Sequence, residues 1–498
     1  MSESALQPDP RRWKALIFIG LAQLMVVLDA TVVNIALPSA QADLGISDAN
    51  RQWVITAYAL AFGGLLLFGG RIADLWGRKR TFTVGLIGFA LASAVGGMAA
   101  NTGMLLGARA LQGVFGALLA PAALSLLAVM FTDAKERAKA FGIYGAIAGG
   151  GGAIGLILGG LLTEYLNWRW TFYVNIPFAL VAVAGAVLVI KEPVGSQNRN
   201  RLDIPGVLLV TTGLVSLVYG FTRAESDGWT SGSTLGLFAA AAVLLVAFVL
   251  VESKVKAPLL PLRVVTERNR GGVYLSLGMA VIGMFGLFLF LTYYLQVVLG
   301  YTPVVTGLAF LPMVAGMITG STQIGARLMT RVAPRHLMAP GFLVASVGML
   351  ILTQIKVDSS YWDLLPGLIL MGLGMGTAFM PAMSMATHGV KPQDAGVASA
   401  MVNTSQQVGG AIGTALLNTI ANSAGVAYAK AHHIGPTSPK LQQLEGMVHS
   451  FSTAIWWSFG ILVLAAGVAF ALINTGRPEA HQATGADSDE LAVPVMAH

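Results

Sequence analysis

Long apolar runs, separated by short polar segments, follow one another along almost the whole chain. Each run has roughly 20 residues or more, which is enough for an α-helix to cross a hydrocarbon core of about 30 Å. The fourteen runs lie at 15–38, 52–70, 81–100, 103–130, 140–163, 171–190, 204–222, 232–251, 271–298, 303–326, 337–355, 364–386, 396–420 and 452–474. The pattern predicts an all-α integral membrane protein with fourteen transmembrane helices.

Composition supports membrane insertion and removes several kinds of chemistry. Hydrophobic residues make up 55% of the chain and charged residues only 11%, against about 25% charged residues in soluble domains. The first run is too long for a signal-peptide core and contains Asp29, so we predict that it is retained. The chain has no cysteine, and its seven histidines form no ligand-spaced cluster. Disulfides, thiol catalysis and a metal site are therefore not predicted.

The basic residues are distributed unevenly between the two sides of the predicted membrane. If the amino terminus is cytoplasmic, 23 of the 30 Lys and Arg residues fall in inner segments and six in outer segments. Such an excess is typical of cytoplasmic loops. We therefore predict a multi-pass protein of the cell membrane with both termini in the cytoplasm. The net charge of +7 then needs no nucleic-acid partner.

Three local patterns recur in the same order, 256 to 260 residues apart. The matching pairs are Gly-Gly-Ala-Ile-Gly at 151–155 and at 409–413, Arg71 and Arg327, and Pro121 and Pro381. Parallel repeats are a transporter architecture, with the substrate near the midplane between the halves. The predicted parts are a cytoplasmic N-terminus at 1–14, a six-helix bundle at 15–190, a linker at 191–270 with two extra helices at about 204–222 and 232–251, a second six-helix bundle at 271–474, and a cytoplasmic polar tail at 475–498.

Only two formal charges lie inside the fourteen runs, Asp29 and Arg109. A charge at hydrocarbon depth costs about 2.5–3.5 kcal/mol even on lenient insertion scales, so such residues usually face a bundle interior or an aqueous cavity. A rise of about 1.5 Å per residue places both in the outer half, within an arginine's reach of each other. We predict that they pair, and that Gln112 and Asn34 extend the site along the wall of the substrate cavity. The alternatives are a carboxylate buried for helix packing and an arginine that reaches the interface.

Four short motifs stand at the ends and centres of the runs. They are Gly70, Asp74, Gly77, Arg78 and Lys79 after the second run, Arg-x-x-Gln-Gly at 109–113, the stretch Leu28–Pro38, and Trp168-Arg169-Trp170 followed by Asn175-Ile176-Pro177. Together they resemble the major facilitator superfamily, and within it the fourteen-span drug:proton antiporter branch. The resemblance covers the chain to about residue 475. It implies a bacterial multidrug or antibiotic exporter that is driven by protons. Because they are the two charges inside the runs, Asp29 and Arg109 are the predicted proton-coupling residues.

The loop motif and the fifth run each carry a specific expectation. Asp74 is an acid among basic residues whose positive charge explains the membrane orientation but not Asp74 itself. We predict that it faces a helix amino terminus of the other half and acts as a cytoplasmic latch. In the fifth run the glycines of the branch's antiporter motif are Gly142, Gly151, Gly155 and Gly159. Leu156 stands where that motif has proline, which removes a kink. Glycines at these spacings also allow close helix packing without any role in antiport.

The second half offers polar and aromatic candidates for a substrate cavity. They are Tyr293, Tyr294 and Gln296 in the ninth run, and Asn403, Gln406 and Gln407 in the thirteenth. Amid apolar walls rich in Met and Phe, such groups suit large lipophilic substrates that need few directed hydrogen bonds. Packing and interfacial anchoring explain the aromatic residues equally well.

No motif of hydrolytic, metal or nucleotide chemistry appears in the sequence. A Gly-x-Ser-x-Gly elbow, a Walker loop and paired membrane carboxylates are all missing, so we predict neither an enzyme nor ATP drive, and no cofactor. The expected partners are a small lipophilic substrate, protons and membrane lipids, with the protein as a monomer. Three functions remain: an exporter of cationic or neutral lipophilic drugs, a dedicated exporter of one metabolite or lipid, and a non-transporting sensor.

Overall fold

The computed structural model describes residues 11–48, 50–131, 134–190, 203–255, 258–329, 331–387, 390, 395–431 and 439–475, and all regular secondary structure within them is helical. The α-helices are α1 Arg12–Leu44, α2 Trp53–Trp76, α3 Arg78–Gly97, α4 Thr102–Met130, α5 Ala134–Tyr165, α6 Trp170–Tyr173, α7 Asn175–Val189, α8 Ile204–Asp227, α9 Gly232–Glu252, α10 Leu262–Val265, α11 Arg268–Tyr293, α12 Pro303–Ala309, α13 Leu311–Thr319, α14 Ala326–Leu328, α15 Arg335–Leu352, α16 Tyr361–Thr387, α17 Ala395–Ala431 and α18 Pro439–Leu472. Two π-helical segments, Tyr294–Val298 and Gly320–Gly325, continue α11 and α13.

Twelve helical stretches in the described part of the chain are long and apolar enough to cross a membrane. The helices α5, with 32 residues, and α17, with 37 residues, stand outside that set. The protein is thus an all-helical chain with many spans, and the number fourteen remains a prediction. We call the end of the bundle where α2 meets α3 the basic end, and the end where α1 is followed by α2 the distal end.

Two of the predicted spans are interrupted where proline removes a backbone donor. The tenth run divides into α12 and α13 at Phe310, because Pro312 has no N–H to bond the carbonyl four residues earlier. The sixth run divides into α6 and α7 at Val174, and Pro177 has the same effect there. This second break makes Asn175 the first residue of a new helix, inside the bundle.

The helices before α8 and those after α10 pack in the same pairwise pattern. Helix α1 contacts α5 and α7, as α11 contacts α17 and α18. Helix α3 contacts α4 and α7, as α15 contacts α16 and α18, while α2 contacts α4 as α13 contacts α16. This repetition agrees with the internal sequence matches. The residue limits of the two bundles remain predictions.

Close packing of α5 on α1 depends on the glycines of the fifth run. A Cβ atom at Gly155 would lie 1.8 Å from Thr31 Oγ1, and one at Gly159 would lie 3.0 Å from the backbone of Val32. Gly151 also faces α1. The contact brings the two backbones close together, as small residues do in membrane helix pairs. The surroundings of Gly142 lie outside the described residues.

We expect Gly155→Ala to weaken the contact between α1 and α5, whereas Gly152→Ala should be nearly neutral. The reason is that a methyl group at Gly155 has no room, while a Cβ atom at Gly152 meets nothing within 4 Å. Overpacking of this kind typically costs about 1–3 kcal/mol. Thermal unfolding of the two purified variants measures the difference, and equal unfolding temperatures would contradict this account of the packing.

The two sets of helices meet mainly where α2 packs on α17 and where α5 packs on α12, with smaller contacts such as that of α1 with α11. At the second contact a Cβ atom at Gly307 would lie 2.3 Å from the carbonyl oxygen of Leu156. The position that carries proline in the antiporter motif therefore lies in this chain at a backbone contact between the halves. Helices α8 and α9 pack on each other, and α8 contacts both α2 and α17.

Candidate functional site: a buried carboxylate–guanidinium network

Asp29 and Arg109 meet inside the first group of helices, and both are buried, with exposed fractions of 0% and 1%. Arg109 Nη1 lies 2.6 Å from Asp29 Oδ2. The same guanidinium donates through Nε to the carbonyl oxygen of Val54 at 2.8 Å and through Nη1 to Gln112 Oε1 at 2.9 Å. A buried ion pair offsets its desolvation only when such further hydrogen bonds complete it. These contacts meet that condition for the arginine.

The other carboxylate oxygen of Asp29 accepts two amide donors. Gln112 Nε2 donates to Asp29 Oδ1 at 2.8 Å, and Asn175 Nδ2 donates to it at 2.9 Å. Both amides also approach Ser93 Oγ, at 2.7 Å and 3.3 Å. Every described partner therefore donates a hydrogen bond to Asp29. An ionised carboxylate accepts such bonds and donates none in return. These contacts are the ones that suit an ionised carboxylate.

Helix geometry explains why these side chains converge. Arg109 and Gln112 are three residues apart on α4, so they share one helix face. The break between α6 and α7 turns Asn175 toward the same point. Tyr58 of α2 places its ring centroid 4.4 Å from the Arg109 guanidinium carbon, where a cation–π attraction adds to the pairing. Four helices and the helix start at Asn175 thus converge on one charge pair.

Two polar atoms beside the network have no hydrogen-bond partner among the described residues. They are the hydroxyl of Tyr58 and Oδ1 of Asn175. Buried polar groups are usually satisfied, so an unsatisfied acceptor next to a charge pair is an available partner when the pair rearranges. Sequence reasoning missed Asn175, Ser93 and Tyr58 as site residues. The only available signal was that Asn175 and Ser93 are polar residues within apolar runs.

Asn34 does not join the network that it was predicted to extend. Its Nδ2 donates to the carbonyl oxygen of Ala30 in its own helix at 2.8 Å. Five residues correspond to about 140° around a helix with 3.6 residues per turn, so Asn34 points away from Asp29. Gln112, in contrast, contacts both members of the pair.

The aromatic candidates of the ninth run form contacts at the distal end. The Tyr293 hydroxyl donates to Gln41 Oε1, and the Arg51 guanidinium carbon lies 4.3 Å from the centroid of the Tyr293 ring. Gln296 Nε2 donates to the carbonyl oxygen of Ile35 on α1 at 3.0 Å. Tyr294, by contrast, donates its hydroxyl to the Lys356 carbonyl oxygen at 2.5 Å. In this conformation Tyr293 and Gln296 join the two halves.

Two further contacts join the halves at the distal end. Asn418 Nδ2 of α17 donates to Gln52 Oε1 at 3.0 Å, and both residues are fully buried. Glu164, at the end of α5, accepts the Val304 amide hydrogen of α12 at 2.9 Å. The candidates Asn403 and Gln406 are half-buried on α17.

The loop motif shapes the basic end. Gly77 has φ of 105° between α2 and α3, a conformation that other residues rarely adopt. Gly70 faces the Pro121 ring, Arg78 begins α3, and Lys79 Nζ donates to the Val187 carbonyl oxygen at 3.0 Å. The side chain of Asp74 lies outside the described residues, so its proposed latch remains a prediction.

The many-span helical fold and the buried charge pair are features that integral membrane transporters commonly have. The chain belongs to the Major Facilitator Superfamily, whose model matches residues 19–414. It is 53% identical over 490 residues to the puromycin resistance protein pur8 of Streptomyces alboniger. The matched region covers 98% of this chain and 96% of that protein. It is 38% identical over 412 residues to the cephamycin export protein CmcT of Amycolatopsis lactamdurans, covering 82% and 85%. The predicted family is confirmed, and the antiporter branch fits these relatives.

A solved structure shares the fold. It is that of a bacterial homolog of the human lysosomal transporter Spinster in an inward-facing, unoccupied conformation. The TM-score is 0.65 at 16% sequence identity, with 93% of this chain and 97% of that chain covered. At this identity the likeness concerns the fold alone.

Proposed function

We propose that this chain is a proton-coupled exporter of lipophilic antibiotics, cationic or neutral, that works by alternating access. The observation that carries the proposal is the buried pair of Asp29 and Arg109, completed by Gln112 and Asn175. The relatives named for puromycin resistance and cephamycin export support the substrate class. Intramembrane ionisable residues of this kind commonly mark proton or substrate pathways.

The proposed topology has fourteen spans in the membrane of a bacterial cell, with both termini and the basic end in the cytoplasm. The six-helix bundles at 15–190 and 271–474 move against each other, and the pair α8–α9 lies between them in sequence. The distal contacts of Tyr293, Gln296 and Asn418 support a conformation that is closed to the outside. In this conformation substrate enters from the cytoplasm.

The proposed coupling uses the position of Arg109 relative to Asp29. While Arg109 donates to it, Asp29 stays ionised and can attract a cationic substrate. When the distal contacts open and Arg109 moves away, a proton from the outside binds Asp29, because an isolated carboxylate is costly to bury. Proton and substrate thereby exclude each other. Closing the distal end again brings Arg109 back and releases the proton to the cytoplasm.

Efflux from reconstituted vesicles tests the proposal directly. With acid on the outer side, we expect puromycin or a monocationic dye to be moved uphill, and a protonophore should reduce the rate to the passive level. The Asp43→Asn protein serves as a matched control, because Asp43 lies on the same helix in a half-exposed pair with Arg169 at 2.6 Å. Undiminished uphill efflux after collapse of the pH gradient and the membrane potential would exclude proton coupling.

The charge of the substrate gives a further expectation for the same assay. Because the network offers one acid, a dicationic compound should be exported more slowly than its monocationic relative, since its second charge has no partner. Equal rates for the two compounds would contradict this part of the proposal.

A dedicated exporter is the second candidate, because several relatives are named for a single compound, such as cephamycin or tetracenomycin C. A resistance panel in a host that lacks its own pumps distinguishes the two. Protection against one structural class supports the dedicated exporter, whereas protection against several unrelated classes supports the multidrug exporter.

A further inference from the structure

A pair of buried carboxyl groups lies where α8 begins and α9 ends, at the two helices that separate the halves in sequence. Asp203 directly precedes α8 and Glu252 ends α9, and their exposed fractions are 6% and 3%. A Cβ atom built at Gly206 would lie 2.5 Å from Asp203 Oδ2 and 2.6 Å from Glu252 Oε1. Two acidic oxygens thus border the same small space.

These two oxygens lack the donors that the other carboxyl oxygens have. Asp203 Oδ1 accepts the Gly206 amide hydrogen at 2.9 Å, and Glu252 Oε2 accepts that of Leu260 at 3.0 Å. No described donor reaches Asp203 Oδ2 or Glu252 Oε1. Two ionised groups here would repel each other and leave both oxygens unsatisfied. One proton between them removes the repulsion and supplies the missing donor.

Among the residues that the structure describes, a charged neighbour of the pair is Arg71 on α2, whose field acts on Glu252. Arg71 Nη2 donates to the carbonyl oxygen of Pro258 at 2.5 Å. A nearby guanidinium favours one remaining negative charge, so the arrangement suits one proton on two carboxyl groups better than two.

The segment 258–260 is attached to the pair on one side and to α2 on the other. Glu252 binds the Leu260 amide, and Arg71 binds the Pro258 carbonyl group. Leu259 and Leu260 are buried in a small core that extends to α2, α8 and α9, with residues of α17 packed against it. The segment therefore adjoins the contact between α2 and α17, where the two halves meet.

We propose that Asp203 and Glu252 form a proton-binding site, and that its proton holds the segment 258–260 against α2 and α17. In the protonated form the O–H of one carboxyl group donates to the facing oxygen of the other. Loss of that proton to water leaves two negative groups that repel each other, which displaces Glu252 together with the Leu260 amide. This site lies apart from Asp29, and the inference does not require proton-coupled export.

Infrared difference spectroscopy of the full-length protein tests the shared proton. Alkaline titration of the wild type should remove a protonated-carboxyl band, and that band should be missing from Asp203→Asn and from Glu252→Gln. In each variant the new amide donates to the remaining carboxylate, so the pair is satisfied without a proton. Glu267→Gln is the matched control, because both oxygens of Glu267 already accept amide hydrogens. The same carboxyl bands in the wild type and both variants would overturn the proposal.

Cysteine labelling tests the attachment of the segment, since the natural chain has no cysteine. The labelling rate of the Leu259→Cys variant is divided by the labelling rate of the exposed Ser233→Cys variant. This ratio corrects for the pH dependence of thiol reactivity. In the otherwise wild-type protein, this ratio should rise severalfold over the pH range in which the protonated-carboxyl band disappears. It should stay low when Asp203→Asn or Glu252→Gln is added. A labelling ratio that does not change with pH, or one that changes with sodium concentration instead, would show that a proton does not hold this segment.

Discussion

Asp29→Asn should abolish uphill export and make substrate binding independent of pH. The wild type should bind a cationic substrate more weakly as the pH falls, because a proton on Asp29 removes the charge that attracts the substrate. Asparagine has the same shape but neither charge nor proton to exchange. Equilibrium binding of a monocationic compound from mildly acidic to mildly alkaline pH measures the difference.

The Asp29→Asn protein should remain folded, with a lower unfolding temperature. Arg109 keeps its contacts with Val54 and Gln112, although it loses the opposing charge. Asp43→Asn on the same helix should retain the pH dependence of the wild type. If substrate binding depends on pH in the same way in the wild type and in Asp29→Asn, Asp29 is not the coupling acid.

Arg109→Lys should lose most transport although it preserves the charge. One guanidinium bonds Asp29, Gln112 and the Val54 carbonyl group through its Nε and Nη1 atoms. A lysine ammonium is a compact charge without the fixed fork of arginine, so it does not reproduce these contacts. Arg109→Ala should be more severe, since breaking a buried pair by removing one partner typically costs about 3–5 kcal/mol.

The measurements for Arg109 are uphill efflux and thermal unfolding of the purified protein. Arg169→Lys provides the control, because Arg169 pairs with the half-exposed Asp43 at the distal end. We expect the Arg169 variant to transport at nearly the wild-type rate, since exposed pairs contribute about 0–1 kcal/mol. Equal transport by Arg109→Lys and the wild type would show that the geometry of the guanidinium is unimportant.

Several features followed from the sequence because they depend on composition and local pattern. The alternation of apolar runs and basic loops predicted a helical membrane protein, and the repeated Gly-Gly-Ala-Ile-Gly pentapeptide indicated a repeated packing unit. The rarity of charges within the runs isolated Asp29 and Arg109. A charge in hydrocarbon is costly wherever the chain folds, so this inference needed no tertiary information.

Tertiary structure decided which polar groups meet these charges. Asn175 reaches Asp29 because the helix breaks before Pro177, while Asn34 points elsewhere although it is closer in sequence. Tyr293 and Gln296 were predicted to line a cavity, and only the tertiary structure shows that they contact Gln41 and Ile35, more than 250 residues away in the other half. Likewise, Asp203 precedes α8 and Glu252 ends α9, so nothing local in the sequence pairs them. Contacts between distant segments depend on helix rotation and crossing, which local sequence patterns do not encode.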